Sequence, residues 1–233
     1  MLNVSLIIPT YNEAKNIPFL IEEIFASVDK SKINLEFIIV DDNSPDGTGK
    51  IAEDLADKYP IRVIHRAGKL GLGTAVIEGF KLSDRKYVGA MDGDMSHNPN
   101  ILNRMIVSLT DNDIVMGSRF KEGSKVEKWG LHRRMISGTG VFMAKILAGV
   151  NDPLSGYFFM KKGVIEGINL KTKGYKILLE ILVKGNYDKV EEFPYTFRMR
   201  KHSMSKLNTK EFMLFLGQVI SYSFYKAVRF FKK

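Results

Sequence analysis

Strand-like and helix-like segments alternate over the first two-thirds of this sequence. Five short runs rich in Ile and Val are typical of buried strands and lie at residues 4–8, 35–40, 61–65, 87–91 and 114–118. Helical spacing of apolar residues, or a Thr or Pro helix start, marks residues 17–28, 48–59, 73–82 and 99–109. Because alternating strands and helices build parallel sheets, the pattern predicts an α/β fold with a doubly wound, mostly parallel sheet and helices on both faces.

The regular alternation stops beyond residue 119, although helix and strand patterns continue. Helices are predicted at 131–150, 175–184 and 211–231, and strands at 157–160 and 189–199. A chain of 233 residues can fill one hydrophobic core. We therefore predict one domain, residues 1–210, followed by a C-terminal helix in residues 211–233. The absence of cysteine excludes a disulfide scaffold and thiolate metal sites.

The C-terminal segment is amphipathic and strongly basic. Residues 198–233 contain nine lysines and arginines against one acid, Glu211, and so carry +8 of the net charge of +9. A helix needs about 20 mainly apolar residues to span a bilayer, and four small or polar residues interrupt this one: Gly217, Gln218, Ser221 and Ser223. These features favour a helix lying in a membrane interface, and the alternative is that it docks on the core. The N-terminus lacks the basic region of a signal peptide.

Polar and ionisable residues follow the predicted strands at the points where the strands end. In an open α/β sheet, ligands bind beyond the carboxyl ends of the strands. The residues at these ends are Tyr11-Asn12-Glu13, Asp41-Asp42-Asn43, Arg66, Asp92-Gly93-Asp94 and Arg119. The sequence therefore predicts one ligand site at this edge of the sheet.

Asp92 and Asp94 follow the fourth strand with one glycine between them. Residues two apart on a strand point to the same side, so the two carboxylates repel each other unless a cation lies between them. An oxygen-only pair suits Mg²⁺ or Mn²⁺, and Mg²⁺ commonly shares its ligands with substrate phosphates. The pair therefore indicates a metal-bound nucleotide diphosphate, and the alternative is an ordinary solvated turn.

Tyr11, Glu13 and Asp42 are expected beside this pair, at the ends of neighbouring strands. The Tyr11 ring offers a face for a base, and the two carboxylates can accept hydrogen bonds from a base or a ribose. In the alternative interpretation, Asn12 and Glu13 only begin the first helix, and Asp41 and Asp42 only form a turn.

Seven segments occur in the order found in family 2 glycosyltransferases: SLIIPTYNE, IIVDDNSPDGT, KLGLGTA, MDGDMSHNP, GSRF, DPLSGYFF and FRMRKHSMSKL. Over residues 4–210 the sequence most resembles the members of this family that transfer mannose to dolichyl phosphate. The resemblance implies a Rossmann-like GT-A fold and inverting transfer of mannose from GDP-mannose to dolichyl or another polyprenyl phosphate, with Mg²⁺ or Mn²⁺ as cofactor. The products would be GDP and dolichyl phosphate mannose, for glycan or glycolipid assembly.

The resemblance also implies site residues, motif by motif. Donor binding would fall to Pro9, Tyr11, Glu13, Val40, Asp42, Asp92, Gly93, Asp94, Arg119, Arg200 and Lys206, and metal binding to Asp92, Asp94 and Ser96. Acceptor binding would fall to Arg119, Arg133, Arg134, Ser137 and Asp152, and the catalytic residues would be Asp94, Arg119 and Arg133. The sequence departs from the family pattern in having Gly93 where many members have Ala, Ser96 where they have Gln, and Ser203 where they have Gly.

A phosphate acceptor removes the need for a general base. A phosphate monoester, with a second pKa of about 6, is already anionic at neutral pH, so it needs positioning and not deprotonation. Guanidinium groups bind phosphate in a bidentate manner, and Arg119, Arg133 and Arg134 can supply them. We therefore expect Asp152 to orient the acceptor loop or a sugar hydroxyl and not to act as a base.

Three alternatives stay open from the sequence alone. The first is a polyprenyl-phosphate glucosyltransferase that uses UDP-glucose. The second is a haloacid-dehalogenase-like phosphatase, which also has Asp-x-Asp after a strand, although on an early one. The third is a non-enzymatic module whose basic tail binds a nucleic acid or a membrane. For the transferase we expect a peripheral position on the cytoplasmic face of a membrane, no nucleic-acid partner, and either no further subunit or a membrane-spanning partner subunit.

Overall fold

The computed structural model describes residues 1–127, 142–172, 176–199 and 209–231. Within these ranges the strands are β1 (Leu2–Thr10), β2 (Ile33–Asp41), β3 (Ile61–His65), β4 (Tyr87–Ala90), β5 (Ile114–Ser118), β6 (Lys125–Val126), β7 (Phe158–Lys161), β8 (Val190–Pro194) and β9 (Thr196–Phe197). The α-helices are α1 (Ile17–Ser27), α2 (Thr48–Leu55), α3 (Leu72–Leu82), α4 (Leu102–Ser108), α5 (142–148), α6 (Ile177–Lys184) and α7 (Thr209–Phe231). Short 3₁₀ helices cover Pro99–Ile101 and Lys162–Ile165.

Seven strands form one sheet in the order β3-β2-β1-β4-β7-β5-β8. All neighbours in it are parallel except β7, which runs antiparallel to both β4 and β5. The half from β3 to β4 alternates strand and helix along the chain, as a doubly wound sheet does. The predicted α/β fold with a mostly parallel sheet is confirmed. Strands β6 and β9 form a separate parallel pair.

Helices cover both faces of the sheet because side chains alternate along each strand. On β1, Leu6 and Ile8 pack into the core on the side of α1, α2 and α4. Between them Ile7 packs into the opposite core, with Val76 and Phe80 of α3. All five side chains are buried.

The strand register brings the predicted polar residues to one edge. Thr10 at the end of β1 is level with Asp41 at the end of β2, and Asp41 is level with His65 at the end of β3. On the other half of the sheet, Ser118 at the end of β5 is level with Pro194 at the end of β8. The segments that follow these strands therefore leave the sheet side by side.

Helix α7 docks on the domain through one of its faces. Its Phe215 and Tyr222 are buried in a small core with residues of α5 and α6. The Tyr222 hydroxyl lies 3.0 Å from Thr172 Oγ1, and Lys226 Nζ donates to Leu147 O at 2.7 Å. The docking interpretation therefore holds for this face.

Another face of α7 is apolar and exposed. Ile220 and Phe224, one helical turn apart, are 71% and 73% exposed, and on α5 the same spacing exposes Phe142 and Ile146. We call these four residues the exposed apolar residues of α5 and α7. Within the described chain, no helix has both the length and the apolar composition required to cross a membrane.

Several observed elements differ from the predicted ones. The strand predicted at 189–199 is interrupted at Tyr195, which separates β8 from β9. The helix predicted at 48–59 ends as an α-helix at Leu55, and the short strand β6 has no sequence signal. The first part of the helix predicted at 131–150 lies outside the described residues, and α5 is its last part.

Candidate active site

Backbone strain gathers at the predicted edge of the sheet. Three non-glycine residues in the described chain have a left-handed φ, which is uncommon: Asn12 (60°), Asn43 (57°) and Met95 (62°). They lie in the segments that follow β1, β2 and β4. At the end of β2, Asp41 accepts a hydrogen bond from Ser44 N at 2.9 Å and so forms the predicted turn. Strained residues of this kind cluster at functional sites.

Asp42 is held by partners from two other elements. Its buried carboxylate pairs with Arg66 at the end of β3 and accepts a hydrogen bond from Gly71 N at 3.0 Å. The guanidinium is fixed in turn because it donates to Thr74 Oγ1 at 2.7 Å and lies 3.1 Å from Glu78 Oε2. Asp42 is therefore more than a turn residue. The sequence places Arg66 at the end of a strand but does not predict that it pairs with Asp42 at the end of the neighbouring strand.

Tyr11 and Glu13 lie between the end of β1 and the start of α1. Lys69 Nζ lies 4.0 Å from the centre of the Tyr11 ring, a cation–π contact. Glu13 is buried, and its Oε2 accepts a hydrogen bond from Asn16 Nδ2 at 2.7 Å. Because α1 begins only at Ile17, Glu13 precedes the helix and belongs to the segment at the sheet edge.

Each carboxylate of the Asp-x-Asp pair has its own hydrogen-bond partner. Asp94 is 5% exposed, and its Oδ1 accepts hydrogen bonds from Ser96 N at 3.0 Å and from Ser96 Oγ at 2.5 Å. Asp92 Oδ2 lies 3.2 Å from Nε2 of His97. Ser96 is fully buried. No three His, Cys, Asp or Glu side chains of the described chain form a group able to hold a metal ion by themselves.

At this site the position with no room for a side chain is Gly156, whereas Gly93 has room for one. A Cβ atom at Gly93 would be no closer than 3.6 Å to its neighbours, among them Glu13 Cγ, which is an ordinary contact. A Cβ atom at Gly156 would lie only 2.8 and 2.9 Å from the two carboxylate oxygens of Asp92. The backbone at Gly156 therefore confines the Asp92 carboxylate on one side.

An aromatic cluster lies beneath the pair. The His97 ring is surrounded by Tyr157, Tyr195 and Phe197, with ring centres 5.4, 5.8 and 5.5 Å away. The Tyr195 hydroxyl lies 2.8 Å from His97 Nδ1. Burial raises the pKa of Tyr195 well above its ordinary value, and it raises the pKa of Tyr157 as well. Both hydroxyls therefore stay protonated at neutral pH.

Arg119 and Asp152 form a two-pronged ion pair beyond β5. Arg119 Nε and Nη2 donate to the two carboxylate oxygens of Asp152 at 2.7 and 2.8 Å, and Arg119 N donates to Oδ2 at 2.9 Å. Asp152 is fully buried. Although burial by itself lowers the pKa of the Arg119 guanidinium, the charge and hydrogen bonds of Asp152 raise it overall, with smaller contributions from Tyr195 and Asp92. The guanidinium therefore keeps its charge and a fixed orientation near Asp92.

Other predicted site residues lie in different surroundings. Pro9 lines a small cavity together with Leu72, Asp92 and Gly156. The Val40 side chain is fully buried and packs in the core on the side of α3. Five predicted residues lie outside the described ranges: Arg133, Arg134, Ser137, Arg200 and Lys206.

Solved structures place this fold among the GT-A glycosyltransferases. Mannosyl-3-phosphoglycerate synthase from Rubrobacter xylanophilus superposes with a TM-score of 0.69 at 17% identity, over 98% of this chain and 75% of that one. Glucosyl-3-phosphoglycerate synthase from Mycobacterium tuberculosis, crystallised with Mn²⁺, UDP and phosphoglyceric acid, superposes with a TM-score of 0.69 at 19% identity, over 97% and 78%. At these identities the similarity concerns the fold alone.

Sequence comparison defines the family. The model of glycosyl transferase family 2 matches residues 5–168. Dolichol-phosphate mannosyltransferase of Pyrococcus furiosus is 40% identical over 225 residues, which are 94% of this chain and 63% of that protein. The protein of the same name from Saccharomyces cerevisiae is 35% identical over 226 residues, 92% of this chain and 85% of that protein. The chain therefore belongs to glycosyltransferase family 2 and is an enzyme, so the phosphatase and the non-enzymatic alternatives are wrong.

Proposed function

We propose that this enzyme transfers mannose from GDP-mannose to dolichyl or another polyprenyl phosphate, with inversion at the anomeric carbon. One observation carries the proposal: two carboxylates suited to a metal-bound diphosphate, Asp92 and Asp94, lie near an arginine suited to a second phosphate. The side chain of this arginine, Arg119, is 14% exposed and is held by the buried Asp152. The 40% and 35% identical relatives named dolichol-phosphate mannosyltransferase support the choice of sugar and acceptor.

The nucleoside of the donor would lie against Tyr11, Glu13 and Asp42. Arg66 and Gly71 N fix the Asp42 carboxylate, and each carboxylate oxygen can accept a further hydrogen bond from a base N–H. A base that stacks on the Tyr11 ring must use the face opposite the Lys69 ammonium or displace it. Glu13, whose Cγ would lie 3.6 Å from a Cβ atom placed on Gly93, would accept a hydrogen bond from the ribose.

Asp92 and Asp94 fit a divalent ion that is shared with substrate. Carboxylate oxygens suit Mg²⁺ and Mn²⁺, and Mg²⁺ completes its shell with water and phosphate oxygens, which agrees with a described site of two carboxylates and no third. When bound, such an ion stabilises the departing GDP as a Lewis acid. Ser96 stays a predicted ligand, and in the structure its hydroxyl donates to Asp94.

Arg119 would position the acceptor phosphate. The acceptor is already anionic at neutral pH, so the step requires a cation that brings two anions together and no general base. Asp152 is buried and reaches the site only through Arg119, which makes it a positioning residue. Arg133, Arg134 and Ser137 would complete acceptor binding, and Arg200 and Lys206 donor binding.

The C-terminal helix would hold the enzyme at the cytoplasmic face of a membrane, where a polyprenyl phosphate resides. The exposed apolar residues of α5 and α7 suit insertion at the boundary between lipid head groups and acyl chains. The basic C-terminal segment would add attraction to anionic lipids. A membrane-spanning partner subunit stays a prediction from the sequence.

Donor choice is the direct test of the proposal. GDP-mannose and UDP-glucose are presented separately with a polyprenyl phosphate, with and without Mg²⁺, and the labelled sugar is followed into the lipid phase. We expect mannose to enter the lipid only with Mg²⁺ present and glucose not to enter. Glucose entry would reassign the donor, and failure of both donors would overturn the proposal.

Membrane association is tested by point variants, since deleting residues 211–233 would also remove Phe215 and Tyr222 from the core. Each large apolar side chain contributes about 1.5–3 kcal/mol when buried, so Ile220→Ser combined with Phe224→Ser should weaken vesicle binding by about tenfold or more. Transfer to a short soluble acceptor should persist. Phe19→Ser, at a residue of α1 that is 62% exposed, is the matched control. Unchanged sedimentation of the double variant with anionic vesicles would exclude this role for α7.

A further inference from the structure

Tyr195, His97 and Asp92 form a hydrogen-bond network that leads from the interior to the candidate metal site. The Tyr195 hydroxyl lies 2.8 Å from His97 Nδ1, and His97 Nε2 lies 3.2 Å from Asp92 Oδ2. Tyr195 and His97 are 3% and 1% exposed, whereas the Asp92 side chain is 25% exposed. Only the carboxylate end of the network therefore reaches the ligand.

The hydrogen-bonding capacity of the three side chains determines which atom donates in each hydrogen bond. An ionised carboxylate only accepts hydrogen bonds, so Nε2 of His97 must carry the hydrogen that faces Asp92. In the neutral ring Nδ1 is then the acceptor, and the Tyr195 hydroxyl can donate to it. With a neutral imidazole ring, both contacts of the network therefore pair one donor with one acceptor.

We propose that His97 and Tyr195 are positioning residues that hold the Asp92 carboxylate in the orientation in which it binds the divalent ion. This inference rests on the proposed function. Hydrogen-bond partners behind metal ligands orient those ligands, and their loss typically weakens metal affinity by about 10–100-fold. The carboxylate of Asp94 is likewise oriented by a neighbouring residue, because Ser96 donates two hydrogen bonds to it.

The surroundings leave the carboxylate few other orientations. On the side of Gly156, even a methyl group would come within 2.8 Å of Asp92 Oδ1. The loop that follows β4 and carries Asp92 is held by backbone contacts to β9 and the residue after it. These contacts are a bridge between His97 and Phe197 and a 2.8 Å hydrogen bond from Arg198 N to Ser96 O. The backbone therefore fixes the loop, and the side-chain network fixes the carboxylate. Removing the Tyr195 hydroxyl alters the side-chain network and leaves the backbone contacts in place.

Tyr157 supplies a matched control within the same cluster. Its ring centre lies 5.4 Å from that of His97, against 5.8 Å for Tyr195, and both tyrosines are buried. The Tyr157 hydroxyl has no hydrogen-bond partner in the described structure. Tyr157→Phe therefore removes an equally buried hydroxyl without touching the network.

The test measures Mn²⁺ binding in the presence of GDP, by the electron paramagnetic resonance signal of free Mn²⁺, for the full chain and its variants. Tyr195→Phe should raise the Mn²⁺ dissociation constant about tenfold and His97→Phe by at least as much, whereas Tyr157→Phe should leave it unchanged. The Mg²⁺ concentration for half-maximal mannose transfer should rise by the same factor in Tyr195→Phe, with kcat recovered at saturating Mg²⁺. Melting temperatures are recorded for all variants.

The outcomes separate this inference from the proposed function. If wild type binds Mn²⁺ with GDP and Tyr195→Phe binds it equally well, the positioning role is wrong and the proposed function stands. The same conclusion follows if Tyr157→Phe weakens Mn²⁺ binding as much as Tyr195→Phe, because the effect is then one of packing. If wild type with GDP does not bind Mn²⁺, this inference is overturned, whereas the proposed function is decided by Mg²⁺-dependent transfer of mannose. Should His97→Phe fail to fold, Tyr195→Phe decides alone.

Discussion

Asp94→Ala is expected to lower the rate of mannose transfer by about 10³-fold or more, equivalent to about 4 kcal/mol of transition-state stabilisation, and to remove its response to Mg²⁺. Asp94 is buried and held by Ser96, and the described chain offers no third His, Cys, Asp or Glu side chain grouped with the pair that could replace its carboxylate. The measurement is transfer of labelled mannose to a polyprenyl phosphate at saturating GDP-mannose over a series of Mg²⁺ concentrations.

The control for this variant is Asp57→Ala, which removes an exposed carboxylate between α2 and β3. It should leave both the rate and the Mg²⁺ dependence unchanged. Circular dichroism and melting temperature establish that Asp94→Ala is folded. If the folded Asp94→Ala variant retained Mg²⁺-dependent transfer within tenfold of wild type, the carboxylate pair would not be the metal site.

Arg119→Lys is expected to lower transfer by about 10²-fold, although it keeps the positive charge. An ammonium cannot donate in the two-pronged manner of a guanidinium, so it cannot satisfy both oxygens of Asp152 and also hold a phosphate in a fixed direction. Removing one preorganised hydrogen-bond donor that faces a developing negative charge lowers kcat by about 10²–10³-fold. Steady-state kinetics with varied acceptor at saturating donor measure the loss. A transfer rate equal to that of wild type would show that Arg119 has no role in the reaction.

Asp152→Asn should have a smaller effect, about tenfold, because the amide still accepts one of the hydrogen bonds from Arg119. Since Asp152 positions Arg119 and does not take a proton from the acceptor, the pH profile of transfer should keep its shape. Loss of an ionisation from that profile would instead identify Asp152 as a base and refute the mechanism without one.

Lys161→Ala is the matched control for breaking an ion pair. Lys161 Nζ contacts Asp113 Oδ1 at 2.9 Å, and this pair lies beside the start of β5, at the opposite end from Arg119. Its loss should affect stability and not transfer. A decrease in transfer comparable to that of the Arg119 variant would show that the assay reports general destabilisation.

Local patterns in the sequence were sufficient for most of the fold. The strands predicted at 61–65 and 114–118 are observed with those bounds, and the alternation of elements led to the doubly wound half of the sheet. Side-chain period and helix-start residues act over a few positions, so they can be read without knowledge of the fold. For the same reason the edge that carries Asp42, Asp92 and Arg119 could be predicted.

The direction of β7 could not be predicted from its residues. A strand has the same side-chain period whether it runs parallel or antiparallel, so residues 157–160 indicate a strand and nothing about its place between β4 and β5. Yet this insertion brings Gly156 against Asp92, and the segment before it brings Asp152 to Arg119.

The sequence by itself therefore determined which residues stand at the strand ends, and with them the carboxylate pair, the family and the amphipathic character of α7. Only the tertiary structure decided how those residues are held. Arg66 pairs with Asp42 across 24 positions, Arg119 with Asp152 across 33, and His97 with Tyr195 across 98. Such contacts depend on strand order and direction, which bring distant segments together and which no local period encodes.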